Sequence, residues 1–123
     1  MIWTGCHFRD YPGMLRYNVS RRVPDGRPVD RNMPELAPTA FMLSKNCDEE
    51  TYLRGYREIL ARAEQAGVFS RLIEEAQTHD VVLLCWEHTP ANCHRQLIAD
   101  WLRKQHQIDV KEAGAATTVI KRA

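Results

Sequence analysis

Residues 15–19 alternate, with Leu15, Tyr17 and Val19 set against Arg16 and Asn18. That two-residue period predicts a strand. A different rhythm governs residues 48–65. Tyr52, Leu53, Tyr56, Ile59, Leu60 and Ala63 recur at three- and four-residue spacings, the stripe of an amphipathic helix. Asp48 is placed to cap it, with Thr51 three residues on, and Gly67 to stop it. A shorter helix is expected over 68–77, turning Val68, Phe69, Leu72, Ile73 and Ala76 inward. Residues 81–85 are continuously apolar and rich in valine and leucine, as in a central parallel strand covered on both faces. A third helix over about 91–104 buries Leu97, Ile98, Trp101 and Leu102. Residues 1–6 and 108–111 complete the predicted strands, and 113–123 read as an edge strand or a loose tail.

Residues 20–38 carry Pro24, Asp25-Gly26, Pro28, Pro34 and Pro38. Each proline removes a backbone donor and fixes φ, so no regular element is expected there. A loop of that length in a small domain is functional or mobile.

Strands alternating with helices predict an α/β fold, with a mostly parallel central sheet, helices on both faces and a Rossmann-like three-layer architecture joined by right-handed crossovers. A chain of 123 residues suits one such domain over 1–123. The carboxyl ends of parallel strands share one edge, where open α/β sheets place their ligands. Cys6-His7, Ser20-Arg21-Arg22, and Cys85 with Glu87 follow three of the strands, and Cys93-His94-Arg95 opens the helix beyond.

Cys93 is expected in the first helical turn, where free N–H groups and the dipole favour a thiolate, and is the candidate nucleophile. Glu87 is a candidate general base, a partner for a ribose-like hydroxyl, or an ion-pair partner of Arg95. His94 and Arg95 diverge by about 100° on a helix, so one of them faces a ligand. Arg95 is assigned the anion and His94 the role of orienting a neighbour or carrying a proton. Cys85 ends an apolar run and suits core packing better than ligand contact. Ser20 and Arg21, with Cys85 where it is not packing, complete the candidate ligand contacts. Thr89 or Asn92 is the expected cap, and Pro90 suits a first turn. No Cys-x-x-Cys or His-x-x-x-His pair occurs, and the divergence of Cys93 from His94 disfavours a metal site. His79, His88 and His106 are expected at the surface, Cys47 in a structural role and Trp101 in the core.

A net charge of +1 supplies no global field for nucleic acid, leaving Arg21, Arg22, Arg27 and Arg31 as a local patch or a solvated face. Four cysteines without a leader pattern predict a cytoplasmic protein with reduced thiols. The longest apolar run, 81–86, is far short of the roughly 20 residues a membrane helix needs.

Leu83-Leu84-Cys85-Trp86-Glu87, then Cys93-His94-Arg95, then Trp101-Leu102, form a two-part pattern. It resembles that of short single-domain members of the domain-of-unknown-function family 488. Leu36-Ala37-Pro38-Thr39, Tyr52, Tyr56 and Val19-Ser20-Arg21-Arg22 resemble further segments of those members, whereas Thr4-Gly5-Cys6-His7 matches only loosely. The resemblance implies the fold and the site without a reaction.

The expected function is binding of a phosphate-bearing ligand, nucleotide or nucleic acid, with hydrolysis or group transfer through Cys93, Glu87 and His94. No Gly-x-Gly-x-x-Gly or phosphate-binding-loop motif points to a standard nucleotide enzyme. The alternatives are a binding module without turnover, and thiol redox chemistry through Cys85 and Cys93.

Overall fold

The computed structural model describes residues 1–87 and 94–114. Among these residues five strands, β1 (Ile2–Cys6), β2 (Met14–Asn18), β3 (Arg31–Asn32), β4 (Asp80–Cys85) and β5 (Val110–Glu112), form one sheet in the order β3-β2-β4-β1-β5. Every pairing is parallel. The helices are α1 (Glu49–Gln65), α2 (Val68–Glu75) and α3 (His94–His106). The expected α/β architecture with a parallel central sheet is therefore present. Val81, Val82, Leu83, Leu84 and Cys85 are fully buried, as their unbroken apolar run requires. Each buried leucine there contributes about 1.5–3 kcal/mol.

The strand order explains what lies on each face. The connections β1→β2 and β2→β3 move one way across the sheet, and β3→β4 and β4→β5 move the other. Right-handed crossovers therefore put the first two on one face and the last two on the opposite face. All three helices belong to the later connections. Their Leu60, Phe69, Leu72, Ile98 and Leu102 share a core with Ile2, Tyr17, Val81, Leu83 and Val110. The opposite face is covered, among the described residues, by irregular chain rather than the expected helix. Tyr11, Met14, Trp3 and Ala113 pack there on Val82 and Leu84. The physical reason is length: residues 7–13 must return the chain to the far end of the sheet, leaving no room for a helix.

Arg16 and Arg27 hold this second layer. Arg16 donates to the carbonyls of Pro28 (2.8 Å), Arg9 (2.8 Å) and His7 (2.9 Å), and Arg27 donates to those of His7 (2.6 Å) and Arg9 (3.1 Å). Gly5 lets residue 11 approach, because a Cβ there would sit 2.6 Å from the Tyr11 hydroxyl.

The Asp48 side chain accepts from the Thr51 N–H (2.8 Å) and caps α1 as expected. Gly67, at φ 77°, separates α1 from α2. Two further expectations need correction. The proline-rich segment contains a two-residue strand, β3, and a 3-10 turn at Pro34–Leu36. The prolines flank β3, so Arg31 and Asn32 can pair with Tyr17 and Asn18. His106 is half-buried rather than superficial, with its Nε2 2.7 Å from a Glu64 carboxylate that also accepts from Trp101 (2.9 Å). No helix among the described residues is long and apolar enough to cross a membrane.

Candidate functional site at the carboxyl edge of the sheet

Because β1, β2 and β4 run parallel, residues 6–7, 19–22 and 85–87 emerge together. The chain leaves β4 toward the helical face and β2 toward the other, which opens a crevice between their ends. A cleft of about 420 Å³ lies there, lined by Ser20, Arg21, Arg22, Leu43, Trp86, Glu87 and His94 among others. Four candidate residues, Ser20, Arg21, Glu87 and His94, thus share one cleft.

Ser20 is held from the second face. Its N–H donates to Asn18 Oδ1 (3.0 Å), and its hydroxyl lies against the same oxygen and the Arg22 carbonyl. Asn18 Nδ2 donates to the Ser20 carbonyl (3.0 Å) and to Asn32 Oδ1 (2.7 Å). The asparagine oxygen is thereby the acceptor, and His7 Nε2, 2.7 Å away, carries the hydrogen. His7 is fully buried, and its Nδ1 has no hydrogen-bond partner among the described residues. Burial pushes its pKa below the ordinary 6.5, against the Asn18 hydrogen bond, which raises it, and with the help of the Arg16 and Arg27 charges. The ring is therefore neutral at pH 7.

His94 and Arg95 diverge as helical neighbours must, but with the opposite assignment to the one expected. His94 lines the cleft, stacked edge-on against Tyr56 with centroids 5.4 Å apart, and its Nε2 donates to the Val19 carbonyl (2.8 Å). Arg95 has no exposed surface. It forms a two-pronged pair with Glu112 of β5 (3.0 and 2.8 Å), and Thr4 donates to the same carboxylate (2.6 Å). Its Nη1 donates to the Glu87 carbonyl (2.6 Å) and to the Cys85 sulfur (2.9 Å). The guanidinium thus fastens α3 to β4 and β5 from behind the cleft, so the expected direct anion contact does not match its position. Both oxygens of the Glu112 carboxylate and two further acceptors, the Glu87 carbonyl and the Cys85 sulfur, use its fork.

Cys85 is fully buried, as its apolar setting predicts, yet its sulfur faces a cation. Cys93, with Thr89, Pro90 and Asn92, lies outside the described residues. Arg27 and Arg31 are drawn away from the cleft, Arg27 to the second layer and Arg31 to Glu75. Only Arg21 and Arg22 of the four-arginine patch line it.

Glu112, Asn18 and Trp86 also belong to this edge, although the sequence pattern does not single them out as site residues. Trp86 is 41% exposed and packs edge-to-face on Phe8, which is 44% exposed, with centroids 5.8 Å apart. Its indole N–H donates to the Arg22 carbonyl (2.6 Å), so the ring is fixed at the rim. A tryptophan directly after the apolar run 81–85 and before Glu87 was the available signal.

No curated protein and no solved structure matches the chain. A family model described as "Active DUF488-N3 subclade" matches residues 5–106, which span both parts of the cysteine motif and every strand but β5 in whole or in part. The chain therefore belongs to the DUF488 family.

Proposed function

We propose that the cleft binds a phosphate-bearing ligand, a nucleotide or a nucleic-acid segment, and that the protein acts on it as a hydrolase or transferase with Cys85 as the nucleophilic thiol. The observation that carries this reading is the Arg95 guanidinium, buried and 2.9 Å from the Cys85 sulfur. A guanidinium at that distance favours the thiolate, the reactive form of cysteine. The Glu112 carboxylate fixes the guanidinium in place. Glu87 supplies acid–base chemistry from the cleft wall, and Arg21 and Arg22 supply charge for phosphate. The exposed Trp86–Phe8 pair offers a flat apolar surface beside those arginines, which suits a base. The word "active" in the family description agrees with a chemical role. Cys93 remains a second candidate thiol on its sequence position, and a cytoplasmic setting would keep both thiols reduced.

A thermal-shift panel with inorganic phosphate, mononucleotides and short single- and double-stranded oligonucleotides tests the ligand. Stabilisation by one of these, lost in Arg21→Ala/Arg22→Ala, is expected. No shift with any anion would overturn the reading. Iodoacetamide labelling tests the nucleophile. Cys85 is expected to react near neutral pH and to slow in Arg95→Met.

The full burial of Cys85 favours a second reading, a binding module without turnover. Ligand binding unchanged in Cys85→Ser and Glu87→Gln, with no product formed by the wild type, would select it.

A further inference from the structure

We infer that Cys6 is the resolving partner of Cys85, and that the two thiols form a reversible disulfide modification site under the floor of the cleft. Cys6 ends β1 and Cys85 ends β4, and the two are direct register partners on adjacent parallel strands. Register partners on neighbouring parallel strands project to the same face, and strands lie about 4.8 Å apart. That separation falls within the roughly 4.4–6.8 Å Cα range of disulfides. Both residues are the last of their strands.

The Cys6 sulfur is already turned toward β4. It contacts the carbonyl of Trp86, the residue immediately after Cys85, at 3.7 Å, and accepts the Phe8 N–H at 3.4 Å. Both cysteines are buried, and neither is in a disulfide. Trp86 and Glu87, which follow Cys85, line the cleft, so a small oxidant entering there meets the end of β4 first.

The chemistry needs a peroxide as oxidant. The Cys85 thiolate attacks one peroxide oxygen, the O–O bond breaks, and the sulfur becomes a sulfenic acid while the other oxygen leaves as an alcohol or water. The Cys6 sulfur then attacks the sulfenic sulfur, the S–O bond breaks, and water departs with the Cys6 proton. The pair of thiols loses two electrons and two protons, and the peroxide is reduced to water and an alcohol or a second water. This assignment rests on Cys85 being the nucleophile. It adds that the same thiol is switched off by its neighbour, and that the bridge protects it from further oxidation.

The test is peroxide treatment of the full chain in a Cys47→Ser/Cys93→Ser background and in the wild type, followed by peptide mapping with and without dithiothreitol. A dithiothreitol-sensitive Cys6–Cys85 crosslink, lacking two hydrogens, is expected in both. In Cys6→Ser, and in Cys6→Ala as a second small replacement, Cys85 is expected to accumulate the irreversible two-oxygen product severalfold over wild type. A wild-type crosslink joining Cys85 to Cys93 or Cys47 instead would overturn the assignment, as would overoxidation of Cys85 equal with and without Cys6. Iodoacetamide labelling of Cys85 in Cys6→Ser separates the two ideas. Labelling without any Cys6–Cys85 bridge in the wild type removes the resolving role and leaves the nucleophile standing. A bridge with Cys85 inert to iodoacetamide removes Cys85 as the attacking thiol, and with it the role of Cys6 as its resolving partner. Neither bridge nor labelling removes both.

Discussion

At the scale of single residues, Arg95 decides most. It was legible as the cation of the site, but not as a buried one. Its partner Glu112 lies 17 residues on in a three-residue edge strand, and nothing in the local spacing links them. Removing one member of a buried pair leaves an uncompensated charge, which costs about 3–5 kcal/mol. Glu112 is a quarter exposed, so its removal falls at the low end. Arg95→Met in urea titrations is expected to lose more stability than Glu112→Gln, and the double variant less than the sum of the two. Additive losses would mean that the pair is not coupled. His7 makes a pH prediction. Its folded pKa lies below the ordinary 6.5, so the unfolded chain takes up the proton first as pH falls. Its contribution to stability is complete above about 6.5 and is lost as pH drops through the depressed folded value. Melting temperatures between pH 7.5 and 5 should fall for the wild type and fall less for His7→Gln. Equal slopes would place the acid sensitivity elsewhere.

At the scale of elements, the strands and helices with strong periodicity were readable from the sequence. α1, with its Asp48 cap, and β4, with its apolar run, sit within a residue of where the pattern puts them. β3 was not readable, because two residues between prolines show no period. The crossover over residues 7–13 was not readable either. Tyr11-Pro12-Gly13 looks like a turn, and only the sheet order shows that it must lie across a face. Gly5 is where that crossover presses hardest. The Tyr11 hydroxyl accepts the Cys6 N–H (2.8 Å), and the Arg16 guanidinium lies 5.9 Å from its ring centroid, so the ring cannot move aside cheaply. Gly5→Ala is therefore expected to destabilise by about 1–3 kcal/mol, the usual range for overpacking. A chemical-denaturation midpoint equal to wild type would show that the crossover yields freely. The site followed the same division: Ser20, Arg21, Glu87 and His94 were legible because strand ends in a parallel sheet must converge. The identity of the buried contacts behind them was not, since those depend on pairings between distant segments.

At the scale of the molecule, β4 sits at the centre of the sheet but comes fourth among the strands. β1 and β2 both flank it and do not pair with each other. A ribosome therefore releases the first two strands long before the residues that will join them. Until about residue 85 emerges, Ile2, Trp3 and Val19 have no sheet to enter, and only α1, α2 and the β2–β3 contact are available to a nascent chain. Non-local pairing of this kind slows folding and leaves apolar strands open to other chains. A chain halted after residue 79 should show helical but no sheet signal in circular dichroism and should aggregate. One halted after residue 87 contains all of β1, β2, β3 and β4 and can assemble that part of the sheet. The cysteine whose sulfur meets Arg95 is thus also the residue that closes the window of vulnerability during synthesis.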